Sequence, residues 1–141
     1  MHIRFIPLTD REEIPEQNQE FYFCEDIQKN HQAMMAIAID TGIHILAITS
    51  NPWNTFYLGK QDFPVKGAGS LLIMQAIKRA IQLRKGQIHL KARLSAVAFY
   101  EKLGFVPNFK VPNPTTTLPM ILTSDKIWHL YPHLIFSTLA A

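Results

Sequence analysis

Short apolar stretches, some alternating with polar residues and some continuous, predict strands in the first half of the chain. Residues 2–6 alternate and are expected to form the first strand. Two longer apolar runs, 33–40 and 43–50, flank the sequence Asp40-Thr41-Gly42, which is typical of a hairpin turn. Because both runs are apolar almost throughout, we expect them to lie in the centre of a sheet with both faces buried.

A different period begins at Ser70, where apolar residues recur every three or four positions. This spacing predicts an amphipathic helix from Ser70 to Lys85 that ends at Gly86. Its apolar face is expected to comprise Ile73, Met74, Ile77, Ala80 and Ile81. Arg84 and Lys85 would then lie in the last turn, where positive charge favours the negative end of the helix dipole.

The remaining segments predict shorter elements. A helix is expected over about 16–29, and Ser95 is expected to cap a short helix that Gly104 closes. Ser124 is expected to cap a C-terminal helix, which Pro132 interrupts. Further strands are predicted at about 55–59, 87–92, 105–110 and 119–124. This order of strands and helices predicts an α/β fold with strand–helix–strand crossovers in the second half.

The composition indicates how many domains to expect and what kind of ligand the charge of the chain suits. The 141 residues are expected to fold as a single domain over 1–141. Apolar residues make up 48% of the chain and charged residues only 18%, below the usual value of roughly a quarter, so an apolar groove or contact surface is expected. The net charge of +3 suits an anionic small molecule and is too weak and too scattered to indicate nucleic-acid binding.

The single cysteine, Cys24, cannot form an internal disulfide, which favours a reducing compartment. It lies in the apolar-rich sequence EFYFCED and is interpreted as a small buried residue rather than a nucleophile. No apolar run approaches the roughly 20 residues that span a bilayer, and the first residues lack the apolar core of a signal peptide. A cytoplasmic protein without a membrane partner is therefore expected.

The helix that begins near Ser70 is preceded by the sequence Lys66-Gly67-Ala68-Gly69. A helix N-terminus exposes unpaired N–H groups, and two residues without a Cβ atom would let a pyrophosphate approach the backbone closely. The alternative is a glycine turn that only packs the helix against a strand. A P-loop is excluded by the spacing of the glycines, and a dinucleotide fingerprint is excluded by Leu72, where a third glycine would be needed.

A second motif, from Ala96 to Phe105, reads A-x-x-FYEKLGF and follows the next predicted strand. Together with GAGSLL at the helix start, it resembles the GNAT acetyltransferase superfamily over about residues 55–110. Pro64 stands where the family commonly has Gln or Arg, and Arg93 stands where it often has Asn. Positive charge on Lys66 and Arg93 would compensate for the lost polar contacts.

The resemblance implies a single mixed, mostly antiparallel sheet of about seven strands flanked by helices. In its centre, the strands at 55–59 and 87–92 would form a splayed parallel pair that holds the pantetheine arm of acetyl-CoA. Backbone N–H groups of the 65–70 loop would bind the pyrophosphate, and backbone groups near residues 57 and 58 would polarise the thioester carbonyl. The cofactor-binding residues that the resemblance implies are Tyr57, Leu58, Val65, Lys66, Gly67, Ala68, Gly69, Ser70, Arg93 and Phe99.

The activity that the resemblance implies is N-acetyl transfer from acetyl-CoA to a primary amine by direct attack in a ternary complex. Tyr100 matches the family's usual general acid, and the alternative is an ordinary core tyrosine. No general base is visible, since Asp62 lies in a loop and His44 and His89 are interpreted as core histidines. No metal is expected, because Pro132 separates His129 from His133.

The acceptor is an amine on a small molecule or a protein, and a homodimer is a further expectation from the family. Trp53, the aromatic residues at 21–23 and the loop at 111–119 are candidates for lining the acceptor pocket. Two other functions stay open at this point. One is a catalytically inactive GNAT-like domain that binds coenzyme A or a protein partner. The other is a mildly basic interaction protein without a cofactor.

Overall fold

The computed structural model describes residues 2–6, 18–25, 31–50, 67–109 and 116–140. The strands are β1 (His2–Ile6), β2 (Gln19–Glu25), β3 (His31–Ile39), β4 (Ile43–Ser50), β5 (Gln87–Arg93), β6 (Val106–Pro107) and β7 (Thr117–Thr123). The helices are α1 (Ala68–Leu83), α2 (Val97–Lys102), α3 (Ser124–Leu130) and α4 (Pro132–Ala140), with a 3-10 turn at Leu94–Ala96. Seven strands form one sheet in the order β1-β2-β3-β4-β5-β7-β6, which confirms the predicted mixed α/β fold.

One parallel pair interrupts an otherwise antiparallel set of described pairings. β1 with β2, β2 with β3, β5 with β7 and β6 with β7 are antiparallel, whereas β4 and β5 are parallel. A parallel pair was expected, but the strand predicted beside β5, at 55–59, was wrong, because β4 takes that place. The expectation that β4 is buried on both faces was wrong, because Ile43 and Ile45 are buried whereas Leu46 is 53% exposed. Residues 55–59 themselves lie outside the described residues.

The chain divides into two compact units, and the division passes through β4 and α1. The first unit is Met1–Ile39 with Leu46–Gln75, and the second is Asp40–Ile45 with Ala76–Ala141. Both β4 and α1 are continuous elements, so each contributes residues to both units. The expectation that the chain is a single folding domain stays a prediction.

In the first unit, β2 occupies residues for which the sequence pattern predicted a helix over 16–29, and that prediction was wrong. The aromatic run at 21–23 has high strand propensity, and β2 has a strand partner on each side. Tertiary pairing therefore decides the conformation of this segment. Cys24 lies on β2 and is completely buried, as expected, and burial raises the pKa of its thiol.

In the second unit, β5 and β7 form the longest described pairing, from Gln87 opposite Thr123 to Arg93 opposite Thr117. Ile88, Leu90 and Ala92 alternate along β5 and are all buried. β6 is shorter than the predicted strand at 105–110. Phe105, which precedes β6, is also buried and belongs to the core of this unit.

Helix α1 confirms the predicted amphipathic helix but begins and ends two residues earlier. Its most buried residues are Leu72, Ile73, Ala76, Ile77 and Ala80. Met74 and Ile81, which were expected on the buried face, are only half-buried. The helix ends at Leu83 rather than at Gly86, because Arg84 adopts a left-handed conformation with φ of 56°.

The remaining helix boundaries differ in detail from the sequence-based expectations. Ser95 lies inside the 3-10 turn, and Ser124 is the first residue of α3, so neither caps a helix with its side chain. The predicted interruption at Pro132 is confirmed, since Pro132 is the first residue of α4, where its missing N–H is not needed. Among the described helices, none is long and apolar enough to cross a membrane.

Candidate functional site

The N-terminus of α1 begins at Gly67, whose φ of +91° is a backbone conformation that favours glycine. The Gly67 carbonyl accepts the first helical hydrogen bond, from the Leu71 N–H at 3.0 Å. The N–H groups from Gly67 to Ser70 therefore have no partner inside the helix. A Cβ atom built on Gly67 would meet no atom of the described residues within 4 Å, so these residues leave open space beside this backbone.

The side chains of this turn divide between the core and the surface. Ala68 is buried and anchors the first turn of α1, while Gly69 and Ser70 are half-buried. The absence of a side chain at Gly69 keeps bulk away from the N–H groups that lack a partner inside the helix.

The structure thus describes four of the six loop residues that the sequence predicted as a pyrophosphate site. The predicted site residues Tyr57, Leu58, Val65 and Lys66 lie outside the described residues. The same holds for Trp53, Asp62 and Pro64.

Tyr100 lies in α2, near a tightly closed helix end. The Tyr100 carbonyl accepts hydrogen bonds from the Leu103 N–H at 3.0 Å and the Phe105 N–H at 3.1 Å. The Gly104 N–H donates to the Glu101 carbonyl at 3.0 Å, and Gly104 has a φ of +104°. These bonds form a Schellman motif, in which glycine supplies the left-handed residue. The motif fixes the backbone to which the Tyr100 side chain is attached.

The Tyr100 ring is buried between two other aromatic rings. It contacts Phe99 edge-on at a centroid distance of 5.1 Å and Phe105 edge-on at 5.8 Å. Burial raises the pKa of the Tyr100 phenol above its ordinary value of 10.0. The phenol is therefore neutral near pH 7 and can donate a proton, whereas it cannot serve as a base.

The Tyr100 hydroxyl has no hydrogen-bond partner among the described residues, in contrast to two other tyrosines. Tyr131 donates to the Leu103 carbonyl at 2.6 Å, and Tyr22 donates to Glu20 Oε1 at 2.7 Å. The described residues contain no buried side-chain nitrogen or oxygen that lacks a partner. The Tyr100 hydroxyl must therefore reach the surface, although its ring is buried.

Two other predicted site residues lie near Tyr100 in the chain. Arg93 is the last residue of β5 and is exposed, and its backbone pairs with Thr117 of β7. Phe99 precedes Tyr100 in α2 and is 37% exposed. Arg93, Phe99 and Tyr100 belong to the second compact unit, whereas the turn at 67–70 belongs to the first.

His44 and His89 form a stacked pair and are only half-buried, so the interpretation of both as core histidines was wrong. The parallel register places His44 opposite His89, and their rings stack at 4.8 Å with an interplanar angle of 13°. Nε2 of His44 lies 2.9 Å from Asp40 Oδ1, and Nε2 of His89 lies 3.2 Å from Gln87 Oε1. Burial, followed by the nearby His44, lowers the pKa of His89. Sequence reasoning missed this pair because only the strand register reveals it.

The aromatic residues proposed for the acceptor pocket lie on β2. Tyr22 is buried, while Phe21 and Phe23 are half-buried. Residues 111–115 of the candidate loop lie outside the described residues. Within the described part of the chain, no three His, Cys, Asp or Glu side chains form a group that could hold a metal ion. The assignment of an acceptor pocket stays a prediction, as does the expectation that no metal takes part.

The comparison with protein families identifies one family. The model of the acetyltransferase (GNAT) domain matches residues 10–115, which is well over half of the chain. The matched range includes both the turn at 67–70 and the motif around Tyr100. No curated protein matches the sequence.

Solved structures share the fold at low sequence identity. A chimera of spermidine N-acetyltransferase SpeG from Vibrio cholerae and hSSAT has a TM-score of 0.64 at 17% identity, covering 89% of this chain and 98% of the other. A dodecameric structure of the Vibrio cholerae spermidine N-acetyltransferase gives 0.60 at 20% identity, covering 83% and 70%. PaiA N-acetyltransferase from Thermoplasma acidophilum, in complex with coenzyme A, gives 0.59 at 15% identity, covering 75% and 61%.

Proposed function

The chain belongs to the acetyltransferase (GNAT) family, and on that premise we propose that it is an N-acetyltransferase that transfers the acetyl group of acetyl-CoA to a primary amine. The observation that carries the proposal is the Tyr100 phenol. Its ring is buried, burial raises its pKa, and its hydroxyl is unpartnered among the described residues. A phenol held in this way suits the donation of a proton to a leaving group.

The N–H groups at the start of α1, which lack partners inside the helix, would bind the pyrophosphate of acetyl-CoA. Four successive N–H groups and the positive end of the helix dipole favour an anion there without a charged side chain. The open space beside Gly67 leaves room for phosphate oxygens. Val65 and Lys66 would extend this loop, and Arg93 and Phe99 would contact other parts of the cofactor.

The reaction then needs one proton donor and one proton acceptor. As the amine nitrogen forms a bond to the acetyl carbon, the carbon–sulfur bond breaks and the sulfur leaves as a thiolate. Tyr100 would protonate that thiolate. The attacking nitrogen would lose its proton to water. A proton from water would then return to Tyr100 and restore the phenol. The described residues identify no carboxylate as a general base, so this role is not assigned to a side chain.

The acceptor would be a primary amine on a small molecule or a protein. Spermidine belongs in the first panel of amines, because several structures of similar fold are spermidine N-acetyltransferases. Their low identity supports the fold alone, so the panel should also include monoamines and lysine-containing peptides.

The proposal is tested by replacing Tyr100 with Phe, which keeps the ring and removes the proton donor. Acetyl-CoA affinity, measured by calorimetry, should stay unchanged. Thiol release with the amine panel should fall about 10²-fold or more. Tyr131→Phe is the matched control, because the Tyr131 hydroxyl is engaged in a hydrogen bond to the Leu103 carbonyl. Turnover per folded molecule should be unchanged in that control.

Two results would contradict the proposal. An unchanged rate in Tyr100→Phe would make Tyr100 an ordinary core residue. Binding of acetyl-CoA by the unmodified protein without turnover of any amine would favour the inactive coenzyme A-binding domain instead.

A further inference from the structure

A groove of about 390 Å³ lies in the second compact unit, between the carboxyl end of α1 and the helices α3 and α4. Its volume falls in the range of small-molecule sites, roughly 300–1,000 Å³. Ile127 and Ile135 form part of its lining and are buried. Trp128 and Leu139 also line it, and they are 57% and 58% exposed. The groove therefore presents an apolar surface that is open to solvent.

The charged residues along this groove have a single sign. Arg84 and Lys85 line it, and none of its described lining residues carries a carboxylate. Among the described residues, no ion pair involves either of these two cations. The apolar surface and the two cations together are complementary to a molecule with an apolar body and an anionic group.

Arg84 lies at the groove and has an unfavourable, left-handed backbone conformation. The Arg84 N–H donates to the Ile81 carbonyl at 3.2 Å, and the Lys85 N–H donates to the Ala80 carbonyl at 2.8 Å. These bonds form the same Schellman motif that ends α2, where glycine supplies the left-handed residue. At α1 an arginine with φ of 56° takes that position. Non-glycine residues in this conformation are strained, and such strain clusters at functional sites.

We propose that the groove binds a small amphiphile with one anionic group, such as a medium-chain carboxylate, and that Arg84 and Lys85 hold the anion. The apolar chain would lie against Ile127, Ile135 and Leu139. A second copy of this chain docked through the same face would be a poorer occupant, since it would bring the same two cations to the groove. The proposed pyrophosphate site is at the opposite end of α1, so this is a separate site.

The first test compares three probes by calorimetry on the full chain. Decanoate should bind saturably, whereas acetate, which has the anion without the chain, should not. Decyltrimethylammonium has the same chain with a positive head group and should bind at least tenfold more weakly than decanoate. Equal binding of the cationic and anionic probes would overturn the proposal. The proposal would also be overturned if sedimentation in the presence of decanoate detected a dimer of this chain with the groove at its interface.

The second test replaces Arg84 with Gly. This variant removes the cation and also relieves the backbone strain, so it should fold at least as well as the unmodified protein. The dissociation constant for decanoate should rise about tenfold, because one charge-assisted hydrogen bond is lost. Arg84→Lys retains the charge and should restore most of the affinity. Unchanged decanoate affinity in Arg84→Gly would refute the role of Arg84.

A paired experiment separates this site from the proposed acetyl-CoA site. Gly86→Glu adds a carboxylate beside the groove, where a Cβ atom makes only ordinary contacts, 3.9 Å from the Ser124 Cβ. It should weaken decanoate binding and leave acetyl-CoA affinity unchanged. Gly69→Glu should weaken acetyl-CoA binding and leave decanoate affinity unchanged. Loss of decanoate binding in Gly69→Glu at unchanged stability would mean that decanoate occupies the acetyl-CoA site, and the groove would then have no separate function.

Discussion

The described tyrosines illustrate how one side-chain type takes different roles according to its hydroxyl contacts. Tyr131 donates to a backbone carbonyl, and Tyr22 donates to a carboxylate, so both hydroxyls stabilise the folded chain. The Tyr100 hydroxyl has no partner among the described residues, although its ring is buried between Phe99 and Phe105. Its packing holds the ring without engaging the hydroxyl.

A prediction at the residue scale concerns Gly69. Gly69→Glu places a bulky, negatively charged side chain beside the N–H groups that begin α1. Bulk and like charge should both oppose pyrophosphate, so acetyl-CoA affinity should fall by about two orders of magnitude or more, to an extent that reflects the charge-assisted hydrogen bonds lost. Calorimetry checks this, with Gly86→Glu as a control that makes the same substitution at the other end of the helix. Equal affinity in Gly69→Glu and the unmodified protein would mean that the pyrophosphate binds elsewhere.

At the scale of elements, α1 and α2 both end in the second unit with the same hydrogen-bond pattern but with different residues at the left-handed position. Helix α2 ends with Gly104, which adopts a φ of +104° without steric cost. Helix α1 ends with Arg84, whose Cβ atom makes the same conformation unfavourable. The sequence pattern placed the end of α1 at Gly86, because glycine is the usual residue at a helix end.

Arg84→Gly should therefore stabilise the protein. Replacing a strained left-handed residue by glycine should raise the free energy of unfolding by about 1 kcal/mol, which is the lower limit of the left-handed penalty. For a chain of this length the melting temperature should rise by roughly 2–4 °C. Scanning calorimetry measures the change, and Arg84→Ala, which retains the Cβ atom, is the control that should not gain stability. A lower melting temperature in Arg84→Gly would indicate that contacts of the arginine side chain outweigh the strain.

At the scale of the whole molecule, the buried phenols of Tyr100 and Tyr131 make the free energy of unfolding depend on pH in the alkaline range. Burial raises the pKa of both Tyr100 and Tyr131 above the ordinary value of 10.0. The folded state therefore holds these protons more tightly than the unfolded state does. Their contribution to stability is complete below the unfolded pKa and is lost as pH rises through the folded pKa. The free energy of unfolding should consequently fall above about pH 10.

Denaturant unfolding at about pH 8 and about pH 10.5 measures this effect. Tyr100→Phe should reduce the loss of stability between the two pH values, because it removes one of the groups whose pKa burial raises, the others being Tyr131 and Cys24. An equal loss in Tyr100→Phe and in the unmodified protein would contradict the raised pKa of Tyr100.

Much of the whole-molecule architecture could be predicted from the sequence. The alternation in β1 and β5, the apolar runs of β3 and β4 and the period of α1 each indicate their element, because burial on one or two faces imposes a local pattern. The motif around Tyr100 identified the family that the comparison then confirmed. The segment that forms β2 was the main failure, since its strand conformation depends on partners on both sides.

The sequence by itself thus determined the fold class, the family and the position of the Tyr100 motif, because these depend on local periodicity and on short motifs. Only the tertiary structure decided that β4 is the parallel partner of β5, and hence that His44 stacks on His89. It also decided which tyrosine hydroxyl is unpartnered among the described residues, and that Arg84 ends α1 at the edge of an apolar groove. The physical reason is that strand register, hydrogen-bond partners and groove shape arise from contacts between residues far apart in the chain.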